Sequence, residues 1–251
     1  MNDTIKISAV SYLNTLPFIY GLEHSEIIEK VELSRDYPAL CAQRLINGEV
    51  DLGLIPVAEI SKIKAPRIVS DYCIGAIGKV NTVVLYSECP FEEIEHILLD
   101  YQSRTSVNLL RVLLKHYWGK SIPLIQTSAG YEESIKGRTA GLVIGDRVFT
   151  LMNRFDYVYD LSEIWLNHTG FPFVFAAWVS NEELPGPFIK EFNDALGFGL
   201  ANREKVIAHY KKENPSSKVD IERYLMNDIR YSLDSEKRKG MSLFLELMKG
   251  L

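Results

Sequence analysis

Short apolar runs alternate with amphipathic segments along most of this chain, and the alternation predicts β-strands followed by α-helices. The predicted strands are Ile5–Val10, Val31–Leu33, Val50–Ile55, Arg67–Ser70, Asn81–Tyr86, Ile97–Leu99, Ile122–Ile125, Gly141–Ile144 and Phe171–Val179. The predicted helices lie near Thr15–Leu22, Tyr37–Asn47, Thr105–Tyr117, Tyr131–Lys136 and Arg147–Asn153, and the segment from Pro187 to Leu251 reads as helical. Strands separated by helices indicate parallel sheets covered by helices.

The alternation of predicted strands and helices begins again after Pro90, which suggests two lobes. Two segments cross between the halves, Val83–Pro90 outward and Phe171–Ala177 back. We therefore expect an α/β protein with one lobe of residues 1–86 plus 177–251, and a second, inserted lobe of residues 87–176. A lobe inserted by two strands is a hinged clamshell, and ligands of such sheets bind beyond the carboxyl ends of the strands. The predicted binding site is the cleft.

The composition and charge of the chain argue against several classes of function. The net charge of −5 over 251 residues gives no support for nucleic-acid binding, which usually shows a basic face. No apolar run is long enough to span a bilayer, and the start, Met1-Asn2-Asp3-Thr4, has no signal-like core, so we expect a cytoplasmic protein with no membrane partner. Cys41, Cys73 and Cys89 form no CxxC pair and the five histidines show no ligand spacing, so buried thiols and no metal are expected.

Two polar turns follow strands, at Ser11-Tyr12-Leu13-Asn14-Thr15 and at Ser103-Arg104-Thr105-Ser106. Each opens a helical segment, where hydroxyls and free backbone N–H groups favour an anion. A simple helix N-cap is the alternative for both, although a cap needs only one such residue. Arg104 adds a guanidinium that suits a carboxylate or phosphate. Arg104 could equally pair with Asp100 at the surface.

Two further strand ends, and Thr82 in the strand that crosses outward, are candidates for ligand contact. In the Asp51–Glu59 segment, backbone groups of Ile55, Pro56 and Val57 would face the cleft, or the segment is only a buried strand ended by proline. Gly145 would let a ligand approach the backbone closely, and Asp146 either contacts the ligand or caps the next helix. Thr82 is either a hydroxyl facing the cleft or an ordinary strand threonine.

Absent motifs exclude several chemistries. The chain has no GxGxxG, P-loop, GxSxG or HExxH motif. Dinucleotide, nucleoside triphosphate and serine-hydrolase activities are therefore unsupported.

The segments together resemble the chorismate dehydratase family, which acts in the futalosine route to menaquinone. The resemblance covers roughly residues 5–180 and is carried by Ser11–Pro17, Asp51–Glu59, Ser103–Val107, Ile144–Asp146 and Trp165–Ala176, in the same order as in the family. It implies a fold of the class II periplasmic-binding-protein type. It also implies a lyase that removes water from chorismate, gives 3-[(1-carboxyvinyl)oxy]benzoate and needs no cofactor.

The resemblance assigns roles to the candidate residues. Asn14 and Thr82 are expected to be the polar catalytic groups across the ring. The substrate-binding set is expected to comprise Ser11, Tyr12, Ile55, Pro56, Val57, Ser103, Arg104, Thr105, Ser106, Gly145 and Asp146. One departure is Thr82, where the family usually has serine, and the hydroxyl is kept. Dihydroxynaphthoate synthase, the sister enzyme, has a catalytic histidine where this chain has Gly145, which favours the dehydratase.

The general base is not evident from the sequence. His168, Asp146 and Glu59 are the titratable groups near the predicted cleft, and each also suits a structural role. The enolpyruvyl carboxylate hangs from the carbon to be deprotonated, so we expect it to serve as the base. A solute-binding receptor and a regulatory effector-binding domain are the competing classes. The receptor would carry an export signal and the regulator a DNA-binding helix-turn-helix, and the chain shows neither before its first strand.

Overall fold

The computed structural model of the protein describes residues 4–251; Met1–Asp3, part of the predicted first lobe, lie outside the described residues. The strands are β1 Ile5–Val10, β2 Val31–Asp36, β3 Leu52–Pro56, β4 Arg67–Ala76, β5 Val83–Ser87, β6 His96–Leu99, β7 Leu124–Gln126, β8 Thr139–Ile144, β9 Tyr157–Asp160, β10 Phe173–Ser180 and β11 Arg230–Ser232. The α-helices are α1 Leu16–Glu23, α2 Pro38–Ile46, α3 Thr105–His116, α4 Arg147–Thr150, α5 Leu161–Thr169, α6 Gly186–Ala201, α7 Arg203–Glu213, α8 Ile221–Arg223 and α9 Ser235–Met248.

The strands form two sheets, and each belongs to a separate compact unit. The first unit runs to Gly75 and resumes over Val174–Asp234, and the second comprises Ala76–Phe173 and Ser235–Leu251. These boundaries differ from the predicted ones in three places, one of which is that the first unit resumes at Val174 and not at residue 177. Residues 76–86 belong to the second unit because β5 pairs with β8 and β9 there. The last helix also belongs to the second unit, so the chain passes between units three times and not twice.

The sheets are mixed, which corrects the expectation of parallel sheets. The first has the order β11-β4-β10-β3-β1-β2 and the second β7-β6-β8-β5-β9. The strands joined by helical crossovers, such as β1, β2 and β3, are parallel. By contrast, β10 is antiparallel to β3, and β5 is antiparallel to β8 and β9. The chain reaches β5 and β10 without a helical crossover inside the same sheet, so nothing forces those strands to run parallel.

In the first unit, α1 crosses α6 at very short distance. A Cβ built on Gly21 would stand 2.1 Å from the Ala195 carbonyl oxygen, and one on Gly199 would stand 1.9 Å from the Pro17 carbonyl oxygen. Only glycine allows the two backbones to approach this closely. The crossing holds Phe18 in the core of the unit, where its ring meets the Trp178 ring edge-on at 5.9 Å.

In the second unit, α9 is held by aromatic packing. The Phe244 ring lies 5.0 Å from that of Phe173 and 6.1 Å from that of Trp165. Gly240 lets the helix approach the chain before β10, since a Cβ there would stand 2.2 Å from the Pro172 carbonyl oxygen. None of the helices within residues 4–251 is long and apolar enough to cross a membrane.

Candidate active site

In the first unit, the turn after β1 places Asn14 where the strand ends. Leu13–Thr15 forms a 3₁₀ turn that leads directly into α1. Asn14 is only 9% exposed, and its Nδ2 donates to the Tyr224 hydroxyl at 3.2 Å while its Oδ1 accepts from Thr15 Oγ1 at 3.1 Å. The amide therefore has a fixed orientation and keeps one donor and one acceptor position for another group.

The residues that hold Asn14 come from the far end of the chain. Tyr224 lies in a π-helical turn, Tyr224–Asp228, and Tyr231 in β11 donates its hydroxyl to the Asn14 carbonyl oxygen at 3.0 Å. Burial raises the pKa of Tyr231 well above its ordinary value, so this hydroxyl stays protonated and remains a donor. π-Helical turns occur frequently at functional sites. Neither tyrosine was predicted from the sequence, because the pattern of this region predicts a plain helix.

The other candidate residues of the first unit differ in exposure and in hydrogen bonding. Ser11 is exposed and its N–H donates to the Asp36 carbonyl oxygen at 2.9 Å, while Tyr12 is half-buried and its carbonyl accepts from Thr15 N at 3.0 Å. Ile55 and Val57 are fully buried and Pro56 is buried. Because these three side chains are apolar and buried, we expect their backbone groups to make any ligand contact.

In the second unit, the Ser103–Ser106 turn starts α3. Ser103 Oγ accepts a hydrogen bond from Ser106 N at 3.0 Å and so caps the helix. Thr105 and Ser106 are each 3% exposed, whereas Arg104 is exposed. The helix has twelve residues, so its first turn carries a real positive end. Capping by Ser103 and anion binding by the rest of the turn are compatible, because one cap satisfies only one of the free N–H groups.

The Arg104–Asp100 pair allowed by the sequence is wrong, because Asp100 pairs with Arg147. The Asp100 side chain is fully buried and its Oδ2 lies 2.5 Å from Arg147 Nη2. The same carboxylate accepts from Ile144 N at 3.0 Å, and from Gln102 N at 2.9 Å. Burial raises the pKa of Asp100, while Arg147 and these N–H donors oppose the shift. Asp100 thus links the end of β6, which precedes the Ser103 turn, to the end of β8.

Thr82 and Gly145 meet in the second unit. Gly145 N donates to the Thr82 carbonyl oxygen at 2.9 Å, and Gly145 has φ of +65°, a conformation that favours glycine. Thr82 is 2% exposed. Asp146 stands at the N-cap position of α4, as the alternative interpretation held, but its side chain makes no capping hydrogen bond. The second unit therefore brings Thr82 and Gly145 together.

A further buried carboxylate, Asp160, holds the turn before Thr82. It is 6% exposed and its Oδ2 accepts from Val80 N at 3.0 Å and from Asn81 N at 2.8 Å. Its Oδ1 accepts from Ser162 N and Glu163 N and so caps α5. Asp160 was not predicted from the sequence, although an aspartate followed three residues later by a glutamate is a recognisable start of a helix.

The candidate bases are poorly suited to proton abstraction. His168 is exposed on α5 and its ring meets that of Tyr117 edge-on at 5.3 Å. Glu59 is buried and its carboxylate pairs with Lys62 at 2.8 Å. Burial raises the pKa of the Cys41 thiol to about 12, so it stays neutral. Within residues 4–251, no group of three or more His, Cys, Asp or Glu residues is arranged to hold a metal ion.

Comparisons with known proteins agree with the fold and give the family. A sequence model of a family described as menaquinone biosynthesis matches residues 5–250. The chain is 27% identical to a chorismate dehydratase of Thermus thermophilus, over 94% of this chain and 92% of that protein.

Solved structures also resemble the chain. A protein from Archaeoglobus fulgidus has a TM-score of 0.75 at 14% identity, covering 98% of this chain and 97% of its own. The alkanesulfonate-binding protein SsuA from Xanthomonas axonopodis pv. citri has a TM-score of 0.68 at 15% identity, covering 99% and 93%. The fold is therefore of the periplasmic-binding-protein type, as the resemblance implied. Since the family model covers nearly the whole chain, the protein belongs to the menaquinone-biosynthesis family.

Proposed function

We propose that the protein is a chorismate dehydratase, a lyase that removes water from chorismate and forms 3-[(1-carboxyvinyl)oxy]benzoate. The observation that carries the proposal is the family match over residues 5–250, joined by 27% identity to a chorismate dehydratase along most of both chains. The polar side chains of Asn14, Thr82, Thr105 and Ser106 support it, because they supply hydrogen-bond donors for a negatively charged substrate. We also propose that the reaction takes place in the cytoplasm, which cell fractionation tests.

The reaction needs charge stabilisation more than acid or base strength. The hydrogen at ring C3 is acidic through the diene to the ring carboxylate. Its removal leaves a dienolate whose charge rests on that carboxylate. The C4–O bond then breaks and the base returns the C3 proton to the departing hydroxyl, so that water is lost and the ring becomes aromatic. Preorganised N–H and hydroxyl donors aimed at the carboxylate stabilise the charge as it develops.

The Ser103–Ser106 turn is suited to hold the ring carboxylate. Ser103 already orients the start of α3, and the buried Thr105 and Ser106 stand in the first turn of a helix whose positive end favours an anion. Burial strengthens such contacts because water screens them little. Arg104 is exposed and contributes its positive charge from the edge of the turn.

Asn14 and Thr82 are the proposed polar groups toward the ring. Neither titrates in the working pH range, so each supplies a fixed dipole and no proton. Asn14 is oriented by Tyr224 and Thr15, which suits it to hold the C4 hydroxyl or the enolpyruvyl group. Thr82 is buried and is suited to donate to a substrate carboxylate.

The base is proposed to be the substrate itself. His168 is exposed, Glu59 is engaged by Lys62, and Asp146 begins a helix. The enolpyruvyl carboxylate is attached through oxygen to C3, and a general base must come within about 3 Å of the proton that it takes. The protein then clamps the ring carboxylate and orients the side chain of the substrate toward the C3 hydrogen.

Incubation of purified protein with chorismate, followed by mass spectrometry of the product, tests the activity. We expect loss of one water and an aromatic product. A second candidate, a binding protein without chemistry, is favoured by the similarity to the alkanesulfonate-binding protein. Chorismate that binds and is recovered unchanged would support that candidate, and the sister reaction of dihydroxynaphthoate synthase would require turnover of a different substrate.

The base is tested with three variants and one substrate analogue. His168→Ala, Asp146→Asn and Glu59→Gln are each expected to retain most of the activity. A chorismate analogue without the enolpyruvyl carboxylate is expected to bind and not react. A variant that folds and binds substrate but loses about 10⁴-fold in kcat, while the analogue is still dehydrated, would assign the base to the protein.

A further inference from the structure

The two oxygens of the Asp160 carboxylate accept hydrogen bonds from two different segments of the chain. One oxygen, Oδ1, accepts from Ser162 N at 3.0 Å and from Glu163 N at 3.1 Å, which caps α5. The other oxygen, Oδ2, accepts from Val80 N at 3.0 Å and Asn81 N at 2.8 Å, across about eighty residues of sequence. A helix cap requires only the first pair of bonds. The second pair fixes a separate turn to the start of α5.

The tethered turn holds a strained residue. Asn81 has φ of +59°, in the left-handed region that side chains other than glycine seldom adopt. Such a conformation persists only when the surroundings determine it. The bond from Asn81 N to Asp160, together with the neighbouring bond from Val80 N, supplies that determination.

Thr82 follows directly and is fixed from both sides. Its carbonyl oxygen accepts from Gly145 N, and Val83 is the first residue of β5, opposite Ile144 in β8. Thr82 Oγ1 also lies 3.4 Å from the Val80 carbonyl oxygen, so the hydroxyl depends on the position of the tethered turn. The β8 side alone does not set the direction of the chain before Thr82.

We infer that Asp160 is a positioning residue for catalysis, because its tether to Val80 and Asn81 sets the place of the Thr82 hydroxyl. The inference rests on the proposed function, in which Thr82 contacts the substrate. Asp160 itself does not touch substrate and acts through Thr82.

The discriminating variant is Asp160→Ser. Serine keeps a short oxygen that caps a helix well, but it lacks the second oxygen that reaches the turn. We expect kcat/KM for chorismate to fall about 100-fold, the scale that follows from a misplacement of about 1 Å. Phe155→Leu serves as the control, because it loosens the core of the same unit without touching the turn, and it is expected to keep wild-type kcat/KM below its unfolding temperature.

The double-mutant cycle with Thr82→Val separates positioning from a purely structural role. If Asp160 acts through Thr82, Asp160→Ser costs little further activity in the Thr82→Val background. Asn81→Gly, which allows the left-handed conformation without a tether, is expected to restore part of the activity to Asp160→Ser. Should Asp160→Ser fail to fold, Asp160→Asn, which keeps the size of the side chain, takes its place in the same cycle.

Different results would contradict the role of Thr82 and the role of Asp160. Wild-type kcat/KM for Thr82→Val would contradict the role of Thr82 in the proposed function. A large loss for Thr82→Val, with wild-type activity for Asp160→Ser, would overturn the positioning role of Asp160. An undiminished loss from Asp160→Ser in the Thr82→Val background would overturn it as well.

Discussion

A buried charge is stable only when an opposite charge or hydrogen-bond donors face it. Asp100 in the second unit is such a charge. Its carboxylate is held by Arg147 and by the Ile144 and Gln102 N–H groups, with the Tyr131 hydroxyl at 3.1 Å. Arg147→Met removes the counter-charge and leaves the carboxylate buried. We expect the free energy of unfolding to fall by about 3–5 kcal/mol, measured by urea titration.

The control for this variant is Arg154→Met in the same unit. Arg154 pairs with Glu133, but both side chains are exposed, so water screens the pair. We expect its removal to leave the free energy of unfolding nearly unchanged. Equal losses in the free energy of unfolding for the two variants would contradict the claim that burial of the Asp100 carboxylate sets the cost of removing Arg147.

The start of α3 gives a prediction on activity. Thr105→Val and Ser106→Ala remove buried hydroxyls from the turn proposed to hold the ring carboxylate. Each is expected to cost about 2–4 kcal/mol of transition-state stabilisation, or about thirty- to a thousand-fold in kcat/KM. Ser134→Ala, an exposed serine of the same unit, is the matched control. Wild-type kcat/KM in both turn variants would contradict the assignment.

Asp36, at the end of β2, gives a prediction on pH. Burial alone would raise the pKa of Asp36, but hydrogen bonds from Ser8, Arg44 and Ser34 outweigh it and the pKa lies below its ordinary value. The stabilisation is therefore complete above the unfolded value of about 3.9 and is lost as the pH falls through the lower folded value. Urea titrations of wild type and Asp36→Asn should differ most near neutral pH and converge in acid. A difference that does not change with pH would contradict this.

Among the elements, the crossing of α1 and α6 is the least tolerant of added volume. Gly199→Ala would place a methyl group 1.9 Å from the Pro17 carbonyl oxygen, so the helices must separate. We expect a net loss of about 1–3 kcal/mol in the free energy of unfolding. Gly186→Ala, on the same helix with no atom within 4 Å, is the control and is expected to be neutral or slightly stabilising. A neutral Gly199→Ala would show that the crossing yields easily.

Elements with strong local signals could be predicted from the sequence. Helix α2 is confirmed, with Pro38 at its start and its end before Asn47 and Gly48, whose φ is +71°. Helix α3 is confirmed to within one residue at its end. Strand β9 and helix α5 were missed, although Asp160 and Glu163 mark the start of the helix. Strand β11 was missed because three residues give no periodicity, and it interrupts a tail that was expected to be helical.

Only those parts of the candidate site whose residues are adjacent in the sequence were predictable. The Ser11–Thr15 and Ser103–Ser106 turns follow strands in the sequence, and the structure places both at strand ends. The partner of Asn14, Tyr224, lies 210 residues away, and no local pattern links the two. The boundaries of the units were misplaced for the same reason, because strand pairing decided where β5 belongs.

For the molecule as a whole, α9 ties the end of the described chain to the second unit. Phe244 is fully buried against Trp165 and Phe173. Phe244→Ala is expected to cost about 3–5 kcal/mol. Fluorotryptophan NMR during urea unfolding reads Trp165 in the second unit separately from Trp178 in the first. Phe198→Ala, an exposed phenylalanine of α6, is the control, and equal losses for both variants would contradict the packing of α9.

The three passages of the chain between units also have a consequence for synthesis on the ribosome. The first unit lacks β10 and β11 until Val174–Asp234 has been made, and the second lacks α9 until residues 235–251 have been made. Trp165 and Phe173 therefore stay without their covering helix until almost all of the described chain has left the ribosome. Many multidomain proteins complete their N-terminal domain while the rest is translated. Here neither unit can do so, and nascent chains stalled before residue 235 should be bound by chaperones and sensitive to protease.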